Sequence, residues 1–219
     1  MITGVIFDLD GTLLDSNGFW NLAPGAYLRT QGKVARDGLA KTVFSMTVPE
    51  AAEYLIREYG LNRTREEIVA GIDAAMERFY LNEIPMKEGA EEGIRTLAAM
   101  GVPMAVASAT DGALVKAALR RFGLTDDFAC VVSTEDVGVG KNEPDVYLKA
   151  AEMIGSAPEN TLVFEDALYA LKTANRAGFQ TVGVYDEASD DEQEEIRRES
   201  RFYLRSLAEL GALFGQSGR

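Results

Sequence analysis

The stretch from Ile2 to Ser16 limits what this chain can fold into more than any other. Val5, Ile6 and Phe7 form a short apolar run that reads as a buried strand, and the run breaks at Asp8-Leu9-Asp10-Gly11-Thr12. Along an extended chain Asp8 and Asp10 project to the same side, and Gly11 lets the backbone turn sharply behind them. Two carboxylates at the end of a buried strand repel one another unless a cation or a shared proton offsets them. The strand end is therefore either an acidic turn or a site for magnesium and phosphate, and residues further along must decide.

Beyond this strand, Ser16 to about Ile84 has a helical character. Apolar residues recur at helical spacing in Phe19, Trp20, Leu22, Ala23, Ala26 and Tyr27, and again in Ala51, Ala52, Leu55, Ile56 and Tyr59. Pro49 and Glu50 suit the first turn of the second helix and Gly60 its end. Thr64-Arg65-Glu66-Glu67 has the pattern of a capping box ahead of a third helix containing Ile68, Ile72, Ala75, Met76 and Phe79. No strand-like run interrupts the segment, which reads as a helical insert of roughly 65 to 70 residues.

From Met86 onward helix and strand alternate. Helices are expected over Lys87–Met100, Asp111–Phe122, Asp145–Ile154 and Asp166–Ala177, and strands over Pro103–Ser108, Ala129–Ser133, Thr161–Phe164 and Gln180–Val184. Asp186 to Ser200, acidic and then basic, reads as a loop and a solvated helix, and Phe202–Leu204 as an edge strand before a short terminal helix. The alternation predicts an α/β fold with a doubly wound, Rossmann-like parallel sheet. The core is expected to comprise residues 1–15 and 86–219, with a small all-helical cap, residues 16–85, inserted after the first strand.

Ligand sites in open parallel sheets lie at the carboxyl ends of the strands. That rule gathers Asp8 and Asp10 after the first strand, Ser108 at the end of the second, Lys141 in the Gly138-Val139-Gly140-Lys141 loop after the third, and Glu165-Asp166 after the fourth. Taken singly, each has an ordinary explanation. Ser108 can cap the helix beginning near Asp111, Lys141 can be a solvated charge, and Glu165-Asp166 can face a helix dipole. Together they supply acids, a hydroxyl and one cation at neighbouring strand ends.

Composition removes several chemistries. There is no histidine, so Ser-His-Asp and Cys-His catalysis, a histidine base and histidine-ligated zinc are excluded. With 35 acidic against 22 basic residues the net charge is −13, which disfavours nucleic acid as a partner. The single cysteine, Cys130, cannot form an intrachain disulfide and lies in the apolar run Phe128–Val132, so a buried structural thiol is expected. No run reaches membrane-spanning length, and the N-terminus enters a strand without a signal-like core. The expectation is a cytoplasmic protein with no membrane partner, monomeric or weakly dimeric.

In its motifs the chain resembles the haloacid dehalogenase-like hydrolase superfamily, over nearly its whole length. Phe7-Asp8-Leu9-Asp10-Gly11-Thr12-Leu13-Leu14-Asp15-Ser16 matches the first motif, and Ser108, Lys141 and Glu165-Asp166 fall where the second, third and fourth are placed. The helical insert occupies the position of the cap found in the branch with beta-phosphoglucomutase and phosphoglycolate phosphatase. The resemblance implies that Asp8 is a nucleophile forming an aspartyl-phosphate and Asp10 a general acid and base. It implies magnesium on the Asp8 carboxylate, the Asp10 carbonyl and Asp166, with Glu165 acting on its waters. Ser108, Lys141 and the backbone N–H groups of Leu9, Asp10 and Ala109 would hold the phosphoryl oxygens.

There are departures. The third motif commonly reads Gly-Lys-Pro-x-Pro-Asp, whereas this chain has Gly140-Lys141-Asn142-Glu143-Pro144-Asp145, and Ala170 stands where the fourth usually has glycine. In the cap, Asn17, Phe19, Trp20 and Thr47 are candidates for substrate contact, although Phe19, Trp20, Tyr27, Phe79 and Tyr80 also read as packing residues.

The implied activity is that of a magnesium-dependent phosphatase acting on a small phosphorylated metabolite such as a sugar phosphate. Metal-free dehalogenation does not use Asp10 or Glu165-Asp166. A phosphonatase needs a Schiff-base lysine, and nothing distinguishes Lys33 or Lys41 for that role. A beta-phosphoglucomutase-like phosphomutase shares the core, but that branch carries a cap histidine which is missing here. A phosphate-binding regulatory protein without turnover is the third reading.

Overall fold

The computed structural model describes residues 2–43 and 46–215. The chain folds as two compact units, residues 1–15 with 85–219, and residues 16–84, so Pro85 groups with the first unit rather than with the insert.

The chain opens with β1 (Gly4–Phe7), buried throughout. The inserted unit is helical: α1 (Asn17–Thr30), the short α2 (Leu39–Val43), α3 (Val48–Tyr59) and α4 (Arg65–Asn82). Local sequence explains α3 and α4. Thr47 and Thr64 each open a helix with a complete capping box, closed by Glu50 and Glu67, and Gly60 ends α3 in the left-handed conformation. α4 buries Ile68, Ile72, Ala75, Met76 and Phe79, the expected apolar stripe. The short α2 carries no such signal, and periodicity does not predict it.

The other unit continues with α5 (Ala90–Ala99), β2 (Met104–Ser108), α6 (Gly112–Arg121), β3 (Cys130–Ser133), α7 (Thr134–Val137), α8 (Asp145–Ile154) and β4 (Thr161–Glu165). It ends with α9 (Leu168–Arg176), β5 (Gln180–Val184), a 3-10 turn over Glu187–Glu192, α10 (Gln193–Glu199), β6 (Phe202–Leu204) and α11 (Leu210–Gly215). Among the described residues the strands form one six-stranded sheet in the order β3-β2-β1-β4-β5-β6, every pair parallel. This is the expected doubly wound α/β architecture. The order reverses between β1 and β4, the switch point at which the carboxyl ends of two central strands flank a crevice.

Strand alternation sets which side chains reach that crevice. Ile6, Ala105, Ala107 and Val163 share one core cluster with Val146, Tyr147 and Ala150 of α8. Asp8 and Glu165 follow Ile6 and Val163 by two residues, so both carboxylates fall on the α8 face of the sheet. Phe7 and Phe164 meet with ring centroids 4.6 Å apart, and the Asp8 N–H donates to the Phe164 carbonyl at 3.0 Å. The two strand ends are thereby fixed side by side.

Three expectations need correction. The helix expected over Lys87–Met100 starts at Ala90, because Gly89 adopts φ 78° ahead of it and Lys87 is bonded to Leu13 and Asp186. Cys130 is half-buried, since it lies at the start of edge strand β3, although burial still raises its thiol pKa. The stretch from Asp186 to Ser200 is not simply solvated, because Asp186, Ser189 and Ile196 are buried.

Candidate active site

The loop after β1 is shaped by its own backbone. Gly11 adopts φ 80°, a conformation costly for other residues, and the Leu9 carbonyl accepts from both Leu13 N–H (2.9 Å) and Leu14 N–H (2.8 Å). Leu9 is fully buried, which anchors the turn between the two acids. The acids then separate. Asp8 is buried and accepts from the Lys141 ammonium, whereas Asp10 is partly exposed and accepts from the Thr110 hydroxyl at 2.7 Å.

The structure brings Lys141 to the centre of an acid group. Its Nζ donates to Asp8 and, at 2.7 Å, to Glu165 Oε1, and the lysine is 5% exposed. Glu165 Oε1 also accepts from the Tyr147 hydroxyl at 2.6 Å. Asp166 accepts from the Thr12 hydroxyl at 3.3 Å. Ser108 is buried at the end of β2, and its Oγ accepts from Thr110 N–H at 3.0 Å. It does not cap α6, because Asp111 does so by accepting from Ala113 and Leu114 N–H. Ala109 is exposed beside it.

Electrostatics follow from one cation among several acids. Burial raises the Asp8 pKa well above the carboxylate range. Lys141 opposes that rise, and Glu165, Asp166 and Asp10 add to it. Burial disfavours the Lys141 ammonium, but the charges of Asp8 and Glu165 override this and hold its pKa well above the usual lysine value. Asp166 is pushed up to about 7, first by burial and then by the charges of Glu165 and Asp186.

Asp8, Glu165 and Asp166 each offer a carboxylate oxygen, all within 4.8 Å of one another, and all three residues are buried. One lysine cannot neutralise them. A hard divalent cation with oxygen ligands fits such a set, magnesium included. The Asp10 carboxylate is not in this group.

The cap candidates lie in the other unit. Asn17 opens α1, Phe19 packs edge-on against Phe79 at 5.2 Å, and Trp20 is half-buried. The exposed Thr47 is engaged in its capping box with Glu50. Sequence reasoning misses Thr110, Thr12 and Tyr147. Thr110 and Thr12 lie within or beside the quoted motifs and are legible there as hydroxyl donors, whereas Tyr147 shows only an apolar helical spacing.

A pH dependence follows. In the unfolded chain Asp166 ionises near 3.8, and in the folded protein near 7, so between these values the fold holds a proton that the unfolded chain has lost. The penalty from this group is absent below the lower value, grows as pH rises and is complete above the higher one. Without divalent cations, thermal melts should show this contribution favouring about pH 5.5 over about pH 8, and added magnesium should raise the melting temperature more at the higher pH. A magnesium effect that is larger at the lower pH would contradict the assignment of Asp166.

Comparison with known proteins shows the family to which the chain belongs. The family model described as haloacid dehalogenase-like hydrolase matches residues 2–178. A Drosophila melanogaster protein named "Probable pseudouridine-5'-phosphatase" is 32% identical, the match spanning 84% of this chain and 82% of the relative. A fructose-1-phosphate phosphatase of Escherichia coli (strain K12) is 28% identical over 83% of this chain and 95% of its own length. A solved hydrolase of the same family from Deinococcus radiodurans, with bound phosphate and sodium, superposes with a TM-score of 0.75 and 26% identity, covering 99% of this chain and 96% of that one.

Proposed function

Because this chain belongs to the haloacid dehalogenase-like hydrolases, and within them to the phosphatases, we propose that it hydrolyses a small phosphorylated metabolite, of the sugar-phosphate kind, through an aspartyl-phosphate on Asp8. The observation that carries this reading is the position of Lys141, shared between Asp8 and Glu165 beside Asp166 at the switch point of the sheet.

In this reading Asp8 attacks phosphorus as a carboxylate, which Lys141 helps to keep ionised against the effect of burial, as a cation held by Asp8 and Asp166 also would. Asp10, held by Thr110, gives a proton to the leaving oxygen and later takes one from the attacking water. Lys141, the Ser108 hydroxyl and the N–H groups of Leu9, Asp10 and Ala109 hold the phosphoryl oxygens and gain strength as charge develops on them. Glu165 keeps Lys141 aimed at Asp8, and Tyr147 keeps Glu165 in place. Magnesium on Asp8, the Asp10 carbonyl and Asp166 would neutralise charge on the transferring group. Asn17, Phe19, Trp20 and Thr47 remain the candidates for recognising the rest of the substrate.

No described helix is long and apolar enough to cross a membrane. The proposed partner is a small anion, and the single cysteine supports a cytoplasmic location, with the chain proposed to be a monomer or weak dimer.

A panel of phosphorylated metabolites, including pseudouridine 5′-phosphate and fructose 1-phosphate, tests the reading by release of inorganic phosphate. Magnesium-dependent release from at least one sugar phosphate is the expected outcome. No release from any member would overturn it. The absence of histidine disfavours mutase chemistry. Isomerised sugar phosphate without matching free phosphate, from beta-glucose 1-phosphate with a bisphosphate primer, would replace the phosphatase reading with that one.

A further inference from the structure

The buried residues of the Asp186 segment are unused by this mechanism, yet they contact it. Lys87, just before α5, donates from Nζ to Asp186 Oδ2 at 2.7 Å and to the Tyr185 carbonyl at 2.9 Å. Its backbone N–H donates to the Leu13 carbonyl at 2.9 Å, in the loop that carries Asp8 and Asp10. Asp186 follows β5, is 3% exposed, and accepts from Ala188 N–H at 2.9 Å to open the next turn. That turn presents Ser189, whose hydroxyl donates to the Asp166 carbonyl at 3.0 Å. Thr12, next to Leu13, closes the ring by donating to the Asp166 carboxylate. Gln193 steadies Ser189 by donating to its oxygen at 2.9 Å, and itself accepts from Tyr203 at 2.6 Å.

We propose that Lys87, Asp186 and Ser189 form a positioning circuit that fixes Asp166 relative to the Asp8 loop and so sets the affinity of the site for divalent cations. The circuit joins the ends of β1, β4 and β5 by a closed path of bonds, and it holds the backbone of Asp166 while Thr12 holds its side chain. A carboxylate placed by such partners loses little freedom when it binds a cation, and residues that orient metal ligands typically change metal affinity by about 10- to 100-fold. Lys87 also places a positive charge on Asp186, whose own charge bears on Asp166. The inference rests on the reading of Asp8 and Asp166 as cation ligands.

Titration of the full-length protein with Mn2+, followed by loss of the free-ion electron paramagnetic resonance signal, tests both levels separately. Ser189→Ala removes the hydroxyl's bonds to the Asp166 carbonyl and to Gln193 but no charge, and should weaken Mn2+ binding of the folded protein about tenfold. Ser189→Thr, which keeps the hydroxyl, should bind within about threefold of wild type. Lys87→Met distinguishes placement from charge. Loss of a cation by itself would tighten Mn2+ binding, whereas loss of the circuit weakens it. Wild-type affinity in Ser189→Ala, or equal or tighter binding in a folded Lys87→Met, would overturn the circuit. Failure of the wild-type protein to bind Mn2+ would instead overturn the reading of the acid cluster, and the circuit with it.

Discussion

Asp8→Asn is expected to lose turnover by about 10⁴-fold or more while keeping its fold. The amide matches the carboxylate in shape and still accepts from Lys141, so the crevice between β1 and β4 keeps its packing. What disappears is the nucleophile, for which no neighbouring group can substitute in line. Stability should hold or rise, because burial and three nearby acids already strain the ionised form of Asp8. Phosphate release on a common substrate, together with a thermal melt, checks both parts. Unchanged hydrolysis in a folded variant would refute the mechanism.

Lys141→Met should have the second large effect, on stability as well as rate. The lysine is the one cation hydrogen-bonded to Asp8 and Glu165 among the described residues, and Met keeps its length without its charge. Removing one partner from a buried ionic group typically costs about 3–5 kcal/mol, since it strands the other charges. Protonation offers those acids an escape, so denaturant unfolding should show a larger loss at about pH 8 than at about pH 5.5. Turnover should fall at least about 10²-fold, because a donor to the transferring group is gone. A variant as stable as wild type at the higher pH would show that the acids do not depend on Lys141.

Much of this site is legible in the sequence because its groups sit at strand ends, where a change from apolar to polar residues is abrupt. Asp8, Ser108 and Glu165 each end or directly follow a buried strand, and parallel pairing then places them together whatever the intervening chain does. Lys141 is harder, since a loop lysine is ordinarily solvated, and only its three-dimensional setting among acids makes it buried. Tyr147 and Ser189 are not legible. Tyr147 looks like any core aromatic until α8 is docked, and Ser189 lies in a stretch so acidic that pattern alone assigns it to solvent. Helices α3 and α4 of the insert are readable through their caps, whereas the side chains in it that would meet a substrate are not, because periodicity identifies a buried face and says nothing of what the other face recognises.

Borohydride reduction of the protein during turnover addresses the central claim most directly. Acyl phosphates are reduced to alcohols, so an aspartyl-phosphate becomes homoserine at the residue that carried it. With acetyl phosphate and magnesium, peptide mapping should find homoserine at position 8, and none when magnesium is omitted or Asp8 is replaced by asparagine. Homoserine at position 10, or sustained phosphate release with no reduced residue at all, would contradict Asp8 as the nucleophile.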